Sequence, residues 1–156
     1  MMMVLDVGCG IRPKGNVNVD LYIVKASHRS QVINPRKIRN FILADGQHLP
    51  FKSNSFGIVV SYHTIEHVEN PTLFLKECIR VAKKRVNIVC PHAWARSKLF
   101  QIGQGKEHKS YFRPRWFNQT LKNYYTHIKT TTQPLFRIPF LNWFSEIHLT
   151  IYLNKT

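Results

Sequence analysis

Seven residues near the start, Val4-Leu5-Asp6-Val7-Gly8-Cys9-Gly10, constrain the fold more than any other stretch of this sequence. An apolar run that breaks into Gly-x-Gly predicts a buried strand ending in a tight turn. A second short run, Val17-Asn18-Val19, ends in an acid, Asp20. In open α/β sheets this order builds a nucleoside site: glycines let the backbone approach a ligand with no Cβ in the way. The acid accepts from both ribose hydroxyls. A Gly-x-Gly after a strand is common in ordinary turns, so its weight depends on the segments downstream of it.

The downstream segments fit. Phe41-Ile42-Leu43-Ala44 is a third apolar run ending in Asp45-Gly46, and Leu49-Pro50-Phe51 comes next. Ile58-Val59-Val60-Ser61 is a fourth run, and Tyr62-His63-Thr64-Ile65-Glu66-His67-Val68-Glu69-Asn70-Pro71 leads from it into a helical pattern. Together these pieces resemble the class I S-adenosylmethionine-dependent methyltransferases, in the branch with an LDVGCG…D…LPF…EHV signature. The resemblance covers residues 3 to about 92 and is looser beyond. It implies an α/β, Rossmann-like sheet, mostly parallel with one antiparallel strand near the C-terminus. It implies S-adenosylmethionine as cofactor, S-adenosylhomocysteine as product, and methyl transfer to an acceptor that the motifs do not name.

The resemblance also assigns roles. Gly8, Cys9 and Gly10 wrap the methionine portion, and Asp20, with Leu21 beside it, meets the ribose. Asp45 and Gly46 meet the adenine, while Ser61, Tyr62 and His63 line the sulfonium side with His67 nearby. Tyr62 would favour a cation through its π face. Each position has a plainer alternative. Asp6 bonds loop amides as readily as it touches a ligand, Asp45-Gly46 is also an ordinary turn pair, and His67 a packing histidine. Relatives commonly carry an acid at the position of Gly57.

Strands are expected at Val4 to Val7, Val17 to Leu21, Phe41 to Ala44, Ile58 to Ser61, Arg85 to Cys90, His127 to Thr132 and Ile147 to Leu153. Helices are expected at 71 to 84, opened by Pro71, and from Pro114 to Tyr125. A parallel crossover normally takes a dozen or more residues. Only Ile11 to Asn16 separate the first two strands, and Pro35 interrupts Tyr22 to Asn40. With strand 1 opening the chain, one sheet face is therefore depleted of helices. Such a face is expected to expose an apolar patch, which implies a homodimer or a partner subunit that buries it. Arg12 or Lys14 is then the candidate to hold the methionine carboxylate in place of the missing helix N-terminus.

The 156 residues read as a single methyltransferase domain, 1–156. Met1-Met2-Met3-Val4 lacks a basic leader, and no apolar run approaches a membrane span. Three cysteines (Cys9, Cys78, Cys90) form no paired framework, which points to a cytoplasmic setting. Charge is the anomaly: 23 Lys and Arg against 8 Asp and Glu, a net +15, with thirteen Lys or Arg and one acid between residues 78 and 145. Such a field attracts nucleic acid or anionic lipid. An RNA-directed enzyme or RNA-associated protein, and a cofactor-binding subunit of a larger complex, are the alternatives to an enzyme for small molecules or lipids. Tyr111-Phe112-Arg113-Pro114-Arg115-Trp116 could stack bases, though it equally matches a packed helix face.

The candidate proton acceptors are His63, His67, His92 and His108, since imidazole titrates near neutral pH. His92 comes directly after strand 5, and His108 lies in a stretch like the acceptor-capping loop of relatives. No Asn-Pro-Pro-Tyr-like tetrapeptide comes after strand 4, which argues against amino-directed enzymes acting on adenine or glutamine. Cys90 before Pro91 reads as buried and inert. No Cys/His grouping has convincing zinc spacing, so no metal is expected. Residues 134 to 146, rich in Phe and Trp, are expected to form either a substrate lid or a core plug.

Overall fold

The computed structural model describes residues 2–24, 32–93, 108–122, 127–134 and 145–153. Its strands are β1 (Val4–Val7), β2 (Val17–Asp20), β3 (Phe41–Leu43), β4 (Phe56–Tyr62), β5 (Ala82–Pro91), β6 (His127–Pro134) and β7 (Ser145–Tyr152). The helices described are α1 (Pro71–Val81) and α2 (Pro114–Leu121). The strands form one sheet in the order β3-β2-β1-β4-β5-β7-β6. Strands β1 to β5 pair in parallel, and β7 runs antiparallel to both neighbours. One strand is thus reversed, as expected. The order turns back between β1 and β4, which opens a crevice at their carboxyl ends.

Register separates the two faces chemically. On one face Val17, Leu5, Val59, Val86, Ile151 and Ile128 lie side by side across six strands. Against this face pack Phe74, Leu75 and Cys78 of α1 and Phe117 and Leu121 of α2, all in one core. Pro71 opens α1 behind the Asn70 side chain, which accepts from Leu73 N at 3.0 Å, a cap that satisfies one of the helix's orphan donors. Pro114 opens α2, and Phe112, Trp116 and Phe117 form an aromatic cluster beneath it.

The opposite face carries polar and apolar residues. Its central row reads Phe41, Asn18, Asp6, Val60, Asn87, Thr150 and Lys129. The expected apolar face is mixed: Ile58, Val60, Tyr62 and Val89 lie on it, and the outward residues of β5 and β7 also include Arg85, Asn87, His148, Thr150 and Tyr152. Over β1 and β2 this face is covered without a helix. Lys14 N donates to Asp6 and Gly15 N to Asn18, while Asn18 Nδ2 donates to Arg39 O at 2.7 Å. Asn40 Nδ2 then ties the second segment to Asn16 O. Cys9, Ile33, Ile38 and Phe41 make a small second core under these segments.

Several bounds differ from expectation. Helix α1 stops at Val81 rather than 84 because fully buried Ala82 already pairs with Phe56 to start β5. Strand β4 begins two residues early, at Phe56, since Gly57 N and Ile58 N both donate to Met3 O. Pro35 opens a single 3-10 turn (Pro35–Lys37), capped by Asn34, in a stretch too broken by that proline for a long helix. Tyr124 and Tyr125 lie outside the described residues, as do Phe136, Phe140, Trp143 and Phe144 of the expected lid or plug. All three cysteines are buried, and none is in a disulfide. No helix among the described residues is long and apolar enough to cross a membrane.

Candidate active site

The glycine turn after β1 has φ of +76° at Gly8 and +56° at Gly10, a region that L side chains avoid. Space forbids a side chain at Gly8 as well, since a Cβ there would lie 2.1 Å from Thr64 Oγ1. The turn's amides are spent on β2: Gly8 N and Cys9 N both donate to Val19 O, and Gly10 N donates to Asp20 Oδ2 at 2.9 Å. Tyr22 N donates to the other Asp20 oxygen at 3.0 Å. Asp20 is thus aimed by the turn it helps to hold. The two amides come from either side of the strand end, Gly10 in the turn and Tyr22 beyond β2. Leu21 stands exposed next to it.

Asp6 sits below, 2% exposed, accepting from Lys14 N at 2.8 Å. Burial pushes its carboxyl up to about 6, against the lowering effect of the Lys14 amide and ammonium. That bond turns the chain so that Lys14 Nζ lies 3.3 Å from the centre of the Tyr62 ring. The π face expected to meet a sulfonium thus carries a lysine ammonium. The same ammonium is well suited to a carboxylate.

Three other sequence candidates sit in different surroundings. Asp45 accepts from Gln47 N at 2.8 Å and from Gln47 Nε2, and Gln47 Oε1 takes Asn70 N, so Asp45 braces the start of α1. Gly46 is required by packing, because a Cβ would fall 2.5 Å from the Phe74 ring. Ser61 is fully buried with its hydroxyl unpaired among the described residues, so its side chain is not available to line a ligand.

Beyond β4 the chain bends at His63, φ +51°, and places a group of acids and imidazoles. His63 Nε2 lies 3.0 Å from Glu146 and its Nδ1 3.6 Å from Glu66. The Glu66 carboxylate raises the His63 pKa, burial opposes it, and Glu146 adds to the rise. Glu66 is 2% exposed. Its main-chain carbonyl accepts from Lys109 N and Ser110 N, which draws His108 against His67 with ring centres 4.9 Å apart. Lys109 also pairs with Glu69. His92 is buried, its main chain bonded to Ser145 and bridged to Phe112. Burial, then Arg113, holds its pKa below the ordinary value. Three of the four candidate histidines, His63, His67 and His108, therefore gather around Glu66, and His92 stands apart. Glu146 was missed from sequence. Its signal was scarcity, being one of only 8 acids and standing at the start of an alternating strand.

A glycine turn and an acid beside the switch point of a mostly parallel sheet define a nucleoside-binding α/β domain. The chain belongs to the methyltransferase domain family, whose model matches residues 5–90. S-adenosylmethionine is the cofactor that this membership brings. The chemistry of the residues present is compatible with that group: a carboxylate ends β2, a tight glycine turn follows β1, and an ammonium lies over the last residue of β4. The chain is 28% identical over 99 residues to ajmaline N-methyltransferase of Rauvolfia serpentina, covering 54% of this chain and 34% of that one. It therefore spans about a third of the length of that curated relative. The fold matches a Thermotoga maritima protein described as an S-adenosylmethionine-dependent methyltransferase, possible histamine N-methyltransferase. The TM-score there is 0.67 at 18% identity, over 97% of this chain and 83% of that one. It also matches the methyltransferase in a complex with the Haloferax volcanii Trm112 methyltransferase activator, at TM-score 0.65 and 13% identity, over 97% and 82% of the two chains.

Proposed function

We propose that this chain is the catalytic domain of an enzyme that moves the methyl group of S-adenosylmethionine to a small-molecule acceptor. The observation that carries the reading is Asp20, buried at the carboxyl end of β2 and oriented by the amides of Gly10 in the glycine turn and of Tyr22. The bound cofactor supplies a methyl group on a sulfonium, ready for direct displacement. Around it the chain binds and orients. Asp20 takes the ribose, Lys14 the carboxylate, Leu21 and Asp45 border the adenine, and the His63–Glu66–Glu146 group borders the acceptor. His63, drawn toward its charged form by two carboxylates, is better suited to orient an acceptor than to take its proton.

Apart from the His63–Glu66–Glu146 group, an open depression of about 430 Å³ is lined by Ala93, Tyr111, Arg113, Arg115, Trp116 and Gln119, a basic and aromatic surface. The aromatic walls suit a ring and the two arginines suit a carboxylate or phosphate. The small-molecule class is supported by the name of one relative, ajmaline N-methyltransferase of Rauvolfia serpentina. RNA is the competing occupant of the same basic surface. A partner subunit, as in the activator complex, is a second reading supported by the exposed, polar β5-β7-β6 surface.

Thermal shift with S-adenosylmethionine and S-adenosylhomocysteine tests the site, because ligand that binds only the folded state must raise Tm. No shift at millimolar ligand would remove the enzyme reading for this chain alone. Methyl transfer from labelled cofactor into mixed small amines and phenols, against total RNA, separates the acceptor classes.

A further inference from the structure

Glu66 presents a problem that the methyl-transfer reading leaves unsolved. It is 2% exposed, and neither carboxylate oxygen accepts a hydrogen bond among the described residues. A buried carboxylate left in that condition is costly. Its nearest basic groups are His63 Nδ1 at 3.6 Å and His67 Nε2 at 4.0 Å. One donor atom from each of Glu66, His67 and His108 lies within 4.8 Å of the others. The arrangement is held by backbone: the Glu66 carbonyl takes the amides of Lys109 and Ser110, fixing His108 over His67.

We propose that Glu66, His67 and His108 form a binding site for a divalent transition-metal ion of the zinc type. Two imidazoles and one carboxylate are a donor set that such borderline ions take with three protein ligands, keeping a further position for water or a ligand heteroatom. The donors need to close by roughly 1 Å to stand at about 2.0–2.2 Å from a shared ion, a distance that side-chain rotation can supply. The side chain of His67 is 17% exposed and His108 is half-buried, so an ion enters from the imidazole side and meets the buried carboxylate last. The ligands stand at positions 66, 67 and 108, a separation that no metal-spacing pattern captures. The site is independent of the cofactor reading and stands or falls without it.

The test is a titration of the chelator-stripped chain with Zn²⁺ by calorimetry and with Co²⁺ by visible absorption, with Tm followed in parallel. One equivalent of each should bind, Co²⁺ should develop the ligand-field bands of low coordination number, and Zn²⁺ should raise Tm. His108→Gln should weaken binding by about tenfold or more, as the loss of even a supporting group can do, and should abolish the Tm rise. His127→Gln, on the exposed edge of β6, should bind as the parent does. If His108→Gln fails to fold, Glu66→Gln, which keeps the volume of the side chain, is read in its place. Absence of stoichiometric binding would overturn the proposal. So would unchanged affinity in the ligand variant, or an equal loss in His127→Gln, which would mark adventitious surface coordination.

Discussion

At the scale of single residues, two acids one strand apart are held in opposite ways. Asp20 accepts Gly10 N and Tyr22 N and faces the crevice. Asp20→Ala removes charge-assisted bonds to a ribose, each worth about 1.5–3 kcal/mol, so S-adenosylhomocysteine affinity should fall at least about tenfold. Calorimetry showing parental affinity in the variant would displace the site. Asp6 is buried with its pKa pushed up to about 6 by desolvation. A raised carboxyl keeps its proton in the folded state while the unfolded chain has lost it, so its contribution is present below about pH 4 and fades as pH rises through 6. At neutral pH the charged form costs about 3 kcal/mol, from a shift of about two pKa units. Asn is neutral and still accepts Lys14 N. Asp6→Asn should therefore gain stability relative to the parent between about pH 4 and pH 7, by up to about 3 kcal/mol. Denaturation midpoints that differ equally at both pH values would show the burial penalty to be absent. Asp20 was legible in sequence because an acid that ends a strand after a glycine turn has a recurrent use. The Lys14–Tyr62 contact was not, since it depends on how a six-residue loop folds back.

At the scale of elements, the strands were legible wherever an apolar run ended in a glycine or an acid, β1 with both its bounds, whereas the ends of β4 and β5 were not. Ala82-Lys83-Lys84 suits a helix as well as a strand, and only pairing of Ala82 with Phe56 decides it. The α1 N-terminus shows how a site element and a structural one merge. Asn70 caps the helix, Gln47 takes the Asn70 amide, and Asp45 holds Gln47. Glu77 and Arg80 then clip the far side of α1 to the main chain of Leu49 and Phe51. The motif Leu49-Pro50-Phe51 is thus anchored by the helix. Asn70→Ala should cost about 1 kcal/mol by loss of the cap. It should also loosen residues 45–51, read as faster amide exchange there than in β5. An unchanged Tm with unchanged exchange would mean that Pro71 alone suffices to start α1.

At the scale of the whole molecule, charge and the faces of the sheet act together. Of the 8 acids in the sequence, Asp6, Asp20, Glu66, Glu69 and Glu146 cluster near the carboxyl ends of the strands, leaving a surface close to uniformly basic. The alternation of β7 was visible in sequence, Ser145 to Tyr152 with Ile147, Leu149 and Ile151 inward. Its consequence is that the helix-poor face is polar where β5, β7 and β6 expose it, with Arg85, Lys129 and His127 among its residues. An apolar driving force for a homodimer is therefore weak on that face, and net charge of +15 opposes pairing of identical copies. The expected state at low salt is a monomer, and an acidic partner is the one that this surface fits. Screening acts within about 10 Å at 0.1 M salt, so raising the salt should weaken any acidic partner while easing self-repulsion. Light scattering across ionic strengths should give one copy at low salt, and a polyanion such as heparin should bind with an affinity that drops steeply as salt rises. A dimer that persists at low salt and micromolar concentration would place the decisive contact elsewhere and remove charge as the controlling term.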